Sequence, residues 1–407
     1  MMGTEFRNLA VPVRDGESEL FTVQMGPQHP ATHGVLKLNL WMDGETVVRC
    51  DPDAGYLHRG FEKIAENKTY AQFLPLTDRL DYISAMANNV GYCVAVEALL
   101  RIEVPLRAQY IRTMVAEMAR ITGHLLWLAT HALDIGAMTV FLYCFRERGL
   151  LLDLFEELSG ARLTTTYTRI GGVRQDVTAR AMEKLARFVE EFPSRIAEYE
   201  TLIDTNRIWL KRTKGIGCVS AEQAVQLGFT GPSLRASGVD YDVRKHRPYC
   251  AYDKVQFEVP IGVNGDVYDR YRCRMEELRQ SALIIRQCLE QLPPGAIVAD
   301  NAPDLVMPLA RPRQPMAGSS LATGYIELVP NNDVYPEGDV YVSIEGSKGE
   351  LGFYFVSDGG GRPYRMHIRS PSYIHIGGLA TVCEGVLVAD VIAIIGSLDV
   401  VLGECDR

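Results

Sequence analysis

The chain has 407 residues, 47% of them apolar, so it can bury a large core with appended lobes. A formal charge of −9, without any long basic run, argues against a nucleic-acid partner. No apolar run reaches the roughly 18 residues that span a membrane, because Asp390 and Asp399 interrupt the best candidate, 386–402. The polar N-terminus is unlike a signal peptide, and the nine cysteines include no CxxC pair. We therefore expect a soluble, cytosolic chain with reduced thiols and no structural zinc.

The first predicted element is a loop that carries two histidines and leads into a β-hairpin. Residues 26–35 read GPQHPATHGV, and this density of proline and glycine excludes a regular helix or a central strand. His29 and His33 therefore lie on a tight loop, and the Asp43-Gly44 pair that follows predicts a hairpin turn. A histidine held on a stiff loop can exchange a proton near neutral pH. The two side chains can equally well cap backbone groups, and the segment alone leaves both interpretations open.

The middle of the chain, from about Tyr82 to Glu290, has the apolar spacing of helices. Proline at a first turn, glycine after a last turn and a capping box mark several helix ends. The predicted helices run from Pro105 to about Ile135, from Thr139 to Ser159 before Gly160, from Ser220 to near Gly228, and from about Asp266 to Gln291.

The last part of the chain returns to strands. The predicted strands cover 324–330, 339–346 and 350–370, the last folded as a hairpin around the glycines at 359–361, and the stretch 296–321 is the predicted long loop. The predicted fold is α+β, a central helical bundle with β lobes at both ends. We expect an N-terminal extension over 1–20, a β lobe over 21–75, the bundle over 76–295, and a β-rich lobe with a terminal segment that packs on the bundle over 296–407.

Ionisable residues cluster on one predicted helix. Glu117, His124 and His131 are seven residues apart and so share one helix face, and Arg120 lies nearly on it. Such residues on the inner face of a bundle indicate a lined cavity or a partner interface, whereas the alternative is a solvated face. Asp134 follows in the turn, where its carboxylate can accept a hydrogen bond from an imidazole.

Familiar metal and nucleotide motifs are missing from the sequence. Two histidines seven apart on a helix are about 10 Å apart along its axis and cannot share one zinc. The sequence holds no HExxH, no P-loop, no GxSxG and no set of four cysteines for an iron–sulfur cluster. If the protein does redox chemistry, its electrons must arrive from another protein chain.

About a dozen motifs, in order from about residue 20 to the end, resemble the D-type subunit of respiratory complex I, the proton-pumping NADH:quinone oxidoreductase. They include GPQHPATHGVLKL (26–38), GYLHRGFEK (55–63), TDRLDYISAM (77–86), FRERGLLLDLFEELSGARL (145–163), SLRASGVDYDVRK (233–245), GELGFYFVSDG (349–359) and SLDVVLGECDR (397–407). The resemblance implies the fold of the large subunit of NiFe hydrogenases. Asp81 and Ser84 stand where that protein has metal-binding cysteines, and Arg407 stands where it has a histidine, so nickel has no ligands here.

The resemblance also implies a site. His33 and Tyr82 would be the two hydrogen-bond donors to a quinone head group, and Asp134 would be the carboxylate partner that favours the charged form of His33. Arg79 and His124 would lie close to a 4Fe-4S cluster held by the neighbouring B-type subunit. No cofactor would be bound by this chain itself, and the quinone is the substrate.

The implied partners are the B-type and C-type subunits of complex I, the other subunits of its peripheral arm, and the membrane subunit that closes the quinone channel. The implied location is the cytoplasmic side of the inner cell membrane. A rival hypothesis is a non-catalytic scaffold that only docks the iron–sulfur subunit. A third hypothesis keeps the quinone site but replaces NADH with another electron donor, and the sequence distinguishes neither the donor nor ubiquinone from menaquinone.

Overall fold

The computed structural model describes residues 13–15, 18–300, 302 and 335–407. The strands are β1 (Val13–Asp15), β2 (Ser18–Met25), β3 (Lys37–Asp43), β4 (Thr46–Asp53), β5 (Thr168–Arg169), β6 (Gly172–Val173), β7 (Gly338–Glu345), β8 (Glu350–Ser357) and β9 (Arg365–Arg369). The helices are α1 (Phe61–Ala65), α2 (Tyr70–Thr77), α3 (Ala85–Leu100), α4 (Leu106–Asp134), α5 (Met138–Ser159), α6 (Ala179–Ile203), α7 (Arg207–Thr213), α8 (Ala221–Gln226), α9 (Pro232–Arg235), α10 (Val243–His246), α11 (Val267–Gln291), α12 (Pro371–Val382), α13 (Val388–Leu398) and α14 (Leu402–Cys405). Two 3-10 turns cover Pro30–Thr32 and Tyr252–Lys254.

The N-terminal strands form an antiparallel sheet in the order β1-β2-β3-β4. Its last hairpin turns after Asp43, which pairs with Thr46, so the predicted hairpin is confirmed. Along β3 the side chains alternate between buried and half-buried, because successive residues of a strand point to opposite faces. The loop over 26–36, which carries His29 and His33 and which we call the histidine loop, connects β2 to β3. It is therefore fixed at both ends to this sheet.

Local sequence signals end the helices of the bundle. Pro105 precedes α4, whose last residue is Asp134. Gly160 follows α5 in the left-handed region, with φ of 84°. The side chains of Ser220 and Asp266 cap α8 and α11. The four predicted helices are therefore confirmed, with ends within a few residues of the prediction.

The C-terminal part contains a second antiparallel sheet and three more helices. The sheet has the order β7-β8-β9, and β7 and β8 pack on α3. The predicted strand over 339–346 and the hairpin around the glycines at 359–361 are confirmed. The predicted strand over 324–330 and most of the predicted long loop over 296–321 lie outside the described residues. The domain limits given above stay a prediction.

Two apolar cores underlie this α+β fold, which confirms the predicted class. The larger core joins the bundle to the second sheet, and its buried members include Tyr92, Met118, Leu278, Ile344 and Phe353. The smaller core joins the first sheet to α12–α14, and its buried members include Leu38, Leu40, Ile376, Ile394 and Leu402. Because the 3-10 turn at Pro30–Thr32 packs on α13, the smaller core holds the histidine loop beside the C-terminal segment. Among the described helices, none is long and apolar enough to cross a membrane.

Candidate functional site

The histidine loop is held by hydrogen bonds of its own. The Nδ1 atom of His29 accepts from the amide of Ala31 at 3.2 Å, and the Thr32 hydroxyl donates to the carbonyl of His29 at 2.8 Å. Gly26 adopts a φ of 83°, and a Cβ atom there would lie 2.1 Å from the carbonyl oxygen of Leu36, so only glycine fits. The capping interpretation is therefore confirmed for His29.

His33 ends the same loop in a different environment. It is a non-glycine residue in the left-handed region, with φ of 52°, and its side chain is half-buried. Its Nε2 atom is buried and has no hydrogen-bond partner among the described residues. Burial, followed by the charge of Lys348, lowers the pKa of His33 to about 4. In this chain the imidazole is therefore neutral at pH 7, contrary to the expectation that a carboxylate keeps it charged.

Tyr82 lies in the turn between α2 and α3, and 41% of it is exposed. Its ring packs on Gly403 of α14, where a Cβ atom would come within 2.9 Å of the ring. The hydroxyl has no hydrogen-bond partner among the described residues. Partial burial and the neighbouring Asp81 raise the pKa of Tyr82, so the phenol keeps its proton at neutral pH.

Asp134 is the last residue of α4, and its side chain is exposed. Among the described residues, no hydrogen bond or ion pair joins Asp134 to His33. Partial desolvation raises the pKa of Asp134 to about 6, and the histidine that opposes this rise is His29. The partnership of Asp134 with His33 therefore stays a prediction.

The two residues expected near a partner's cluster lie in different environments. Arg79 is exposed, three residues before Tyr82. His124 is 0% exposed, and its Nε2 atom lies 2.8 Å from Glu277 of α11. Burial lowers the pKa of His124 to about 4 despite this carboxylate. The structure therefore does not bring Arg79 and His124 to one surface.

The ionisable face of α4 is buried in a network of ion pairs. Arg120 pairs with Glu117 at 3.2 Å, and Arg235 contacts Glu277 at 2.6 Å and Glu345 at 2.8 Å. We call this set the interior ion network; its members are Glu117, Arg120, His124, Arg235, Asp242, Arg244, Glu277 and Glu345, all at most 5% exposed. The prediction of a lined cavity or a partner interface is thus wrong for this face. Sequence reasoning missed the partners because they come from α9, α10, α11 and β7.

A second buried set of charges lies behind His33 and Tyr82. The ammonium group of Lys348, which is 1% exposed, lies 3.4 Å from a carboxylate oxygen of Asp81 and 3.4 Å from one of Asp399. Glu404 is also buried and accepts a hydrogen bond from the amide of Ser372 at 3.0 Å. We call Asp81, Lys348, Asp399 and Glu404 the Lys348 cluster.

The sequence contained only a weak signal for this cluster. Lys348 lies in the turn GSKGE between two strands, and Glu404 lies in the terminal motif that carried part of the resemblance. Nothing local indicates that these segments meet. Within the described part of the chain, no three histidine, cysteine, aspartate or glutamate side chains are arranged to hold a metal ion.

Comparisons with known proteins agree with the motifs. The family described as "Respiratory-chain NADH dehydrogenase, 49 Kd subunit" matches residues 134–407. The D-type subunit of NADH-quinone oxidoreductase that is numbered 2 in Thermodesulfovibrio yellowstonii is 56% identical, over 96% of this chain and 100% of that protein. The D-type subunit of the same oxidoreductase from Trichlorobacter lovleyi is 51% identical, and that from Geobacter sulfurreducens 49%, each over 96% of this chain and 99% of the relative. The chain therefore belongs to the family of the D-type, 49 kDa subunit of complex I, the NADH-quinone oxidoreductase, and is a subunit of an oxidoreductase.

Proposed function

We propose that this chain forms, together with the B-type iron–sulfur subunit of complex I, the site at which the quinone head group is reduced to quinol. The observation that carries the proposal is a pair of hydrogen-bonding groups without partners among the described residues. Within that part of the chain, Tyr82 is 41% exposed and its hydroxyl makes no hydrogen bond, and the buried Nε2 atom of His33 is unpaired. The charge of Lys348 acts to lower the pKa of both His33 and Tyr82. This shared influence supports the view that the two side chains lie close to each other.

The chemistry of the two groups suits a quinone. Each carbonyl oxygen of the head group accepts a hydrogen bond, and a phenol and a neutral imidazole each offer one donor. A 4Fe-4S cluster in the B-type subunit would supply the electrons one at a time. This chain would orient the head group through Tyr82 and His33 and provide protons as the charge on the oxygens develops.

Three other residues, Arg79, Asp134 and His124, would not bind the quinone directly. Arg79, exposed beside Tyr82, would face the cluster-bearing subunit, where a guanidinium favours added negative charge. Asp134 would anchor the histidine loop through His29. His124 stays inside the interior ion network and has no direct part in the site.

The assembly around this site belongs to the same proposal. Because 41% of Tyr82 is exposed, the B-type subunit and the membrane subunit would enclose the quinone. The C-type subunit would lie beside them, and the other peripheral-arm subunits would carry electrons from NADH on the cytoplasmic side of the membrane. Reduction of the quinone would then drive proton translocation in the membrane arm.

The test is Tyr82→Phe in the assembled complex, because this change removes one hydroxyl and little volume. Loss of a hydrogen bond of about 1–3 kcal/mol predicts a rate of quinone reduction about 5- to 160-fold lower. The rate should be measured with NADH and a short-tail quinone, and separately with an artificial acceptor that takes electrons at the flavin. The second rate should not change.

Tyr364→Phe is the matched control, since Tyr364 is 67% exposed in the turn between β8 and β9. It should leave both rates unchanged. If Tyr82→Phe also leaves the quinone rate unchanged, the hydroxyl has no part in the reaction and the scaffold hypothesis gains support.

A further inference from the structure

The quinone reduction proposed above needs a source of protons, and the role described next rests on that reduction. Forming a quinol consumes two protons. Because His33 is neutral at pH 7, its single N–H proton can leave only if another proton arrives at the second nitrogen. His33 can therefore relay a proton, and Tyr82 can release one, but neither residue holds a second proton to replace the one it gives.

The Lys348 cluster lies directly behind these two residues. Asp81 precedes Tyr82 in the chain, and Gly403, on which the ring of Tyr82 packs, precedes Glu404. Lys348 acts electrostatically on His33. Tyr82 is thus flanked by Asp81 and by the segment that carries Glu404, and His33 feels the charge of Lys348.

The charges of the cluster do not balance. It holds three carboxyl groups and one cation, Lys348, and a second cation, Arg274 of α11, acts on Asp399 and donates to the Ser397 carbonyl at 2.7 Å. Both cations act on Asp399. An uncompensated buried carboxylate is strongly disfavoured, so one of the three carboxyl groups has to keep a proton.

Glu404 is the carboxyl group without a cation in contact. It is 1% exposed, and among the described residues it has no ion pair. The groups that face it are Asp81, Lys348, the Ser372 amide and the Cys405 thiol. Burial and the charge of Asp81 raise the pKa of Glu404 to about 7, which agrees with the charge count.

We propose that Glu404 holds one exchangeable proton at neutral pH and that the Lys348 cluster passes it to Tyr82 when the quinone is reduced. The phenol O–H bond of Tyr82 breaks as one quinol O–H bond forms, and the N–H bond of His33 breaks as the second forms, while the other ring nitrogen of His33 takes up a proton from water. The O–H bond of Glu404 then breaks as the phenol is restored, which leaves a carboxylate that takes up a proton from water. The two electrons come from the 4Fe-4S cluster of the neighbouring B-type subunit, so Glu404 is neither oxidised nor reduced.

The first experiment is Glu404→Gln in the assembled complex, assayed from pH 5.5 to 8.5 with a short-tail quinone. Glutamine keeps the shape but cannot release a proton. We expect the quinone rate near pH 7 to fall at least about tenfold, as for loss of a general acid. The decline of the wild-type rate as pH rises through about 7 should disappear, because Glu404 no longer titrates. The rate with the artificial acceptor should be unchanged.

Two further variants separate a proton-holding role from a structural one. Glu404→Asp keeps a carboxyl group and should restore the pH dependence. Glu384→Gln, at an exposed position of the same C-terminal region, should resemble the wild type. A Glu404→Gln complex with the wild-type rate and pH profile would show that Glu404 does not supply the proton. The Tyr82→Phe result would still decide whether Tyr82 takes part in quinone reduction.

Infrared difference spectroscopy on the unmodified complex tests the proposal even if the variants assemble poorly. In time-resolved spectra, reduction in the presence of quinone should remove the carbonyl band of a protonated carboxylic acid until the group takes up a proton from water, and the band should be absent from samples poised well above pH 7. If the wild-type spectrum contains no carboxylic acid band that responds to reduction, Glu404 does not hold the proton.

Discussion

Gly403 lies under the ring of Tyr82, and the fit is close. A Cβ atom at this position would lie 2.6 Å from the carbonyl oxygen of Leu80 and 2.9 Å from the Tyr82 ring. The first of these atoms belongs to the backbone of the turn that carries Tyr82, so the turn itself would have to move. Glycine is therefore required here by close approach.

The Gly403→Ala variant should displace Tyr82 without removing its hydroxyl. Overpacking of this kind costs about 1–3 kcal/mol, and we expect the quinone rate to fall about tenfold with the artificial-acceptor rate intact. Gly377→Ala is the control, because a Cβ atom at this helical position of α12 meets nothing within 4 Å. A Gly403→Ala complex with normal quinone reduction would show that the position of the ring is unimportant.

At the scale of elements, α4 contains two buried histidines with different surroundings. His124 pairs with Glu277, but both ring nitrogens of His131 lack a hydrogen-bond partner among the described residues. The imidazole of His131 lies between Trp127 and Trp209, with ring centroids 5.5 and 5.3 Å away. Burial and the charge of Arg274 lower the pKa of His131 to about 3, so it stays neutral in the folded chain.

The burial of His131 contributes to the pH dependence of the stability of α4, and His131→Phe should remove that contribution. The pKa of His131 is below its unfolded value of about 6.5, so as pH falls below 6.5 only the unfolded chain gains the proton. Acid therefore destabilises the wild type relative to the variant, by about 1 kcal/mol between pH 6.5 and 5.5 and by up to about 1.4 kcal/mol per pH unit below that range. Hydrogen exchange of α4 peptides in the complex, compared at pH 6.5 and 5.5 after correction for intrinsic rates, measures this difference. A constant difference between wild type and variant would mean that His131 is protonated or solvated.

At the scale of the whole molecule, the interior ion network joins elements from distant parts of the chain. Arg235 of α9 contacts Glu277 of α11 and Glu345 of β7, and Arg244 of α10 contacts Glu117 of α4. The network therefore fixes the second sheet to the bundle by directed contacts, in addition to the apolar core. Fixing β7 also fixes the following turn, which carries Lys348.

Arg235→Met should break the network. Removing one partner of a buried pair leaves carboxylates without a counter-charge and costs about 3–5 kcal/mol. We expect a comparable loss in the free energy of unfolding of this subunit, measured by hydrogen exchange of the slowest peptides, and less of the chain in the assembled complex. Arg162→Met, at an exposed pair with Asp153, should cost far less, because water screens the charges of that pair. A cost for Arg235→Met as small as that of Arg162→Met would contradict this role.

The sequence by itself determined what depends on neighbours along the chain. Pro105, Gly160 and Ser220 marked helix ends, and the Asp43-Gly44 pair marked a hairpin, because caps and turns depend on residues within about four positions. The ordered motifs also determined the family. Helical periodicity placed Glu117 and His124 on one face of α4 but left open what that face meets.

Only the tertiary structure decided which distant groups meet. Lys348 contacts Asp81 across 267 positions of the chain, and Arg235 contacts Glu345 across 110. The histidine loop packs on α13, which lies more than 350 positions later in the chain. The tertiary structure also sets protonation, because the pKa of His33 depends on burial and on a lysine 315 positions later in the chain. Such contacts arise from the packing of whole elements, which no local pattern specifies.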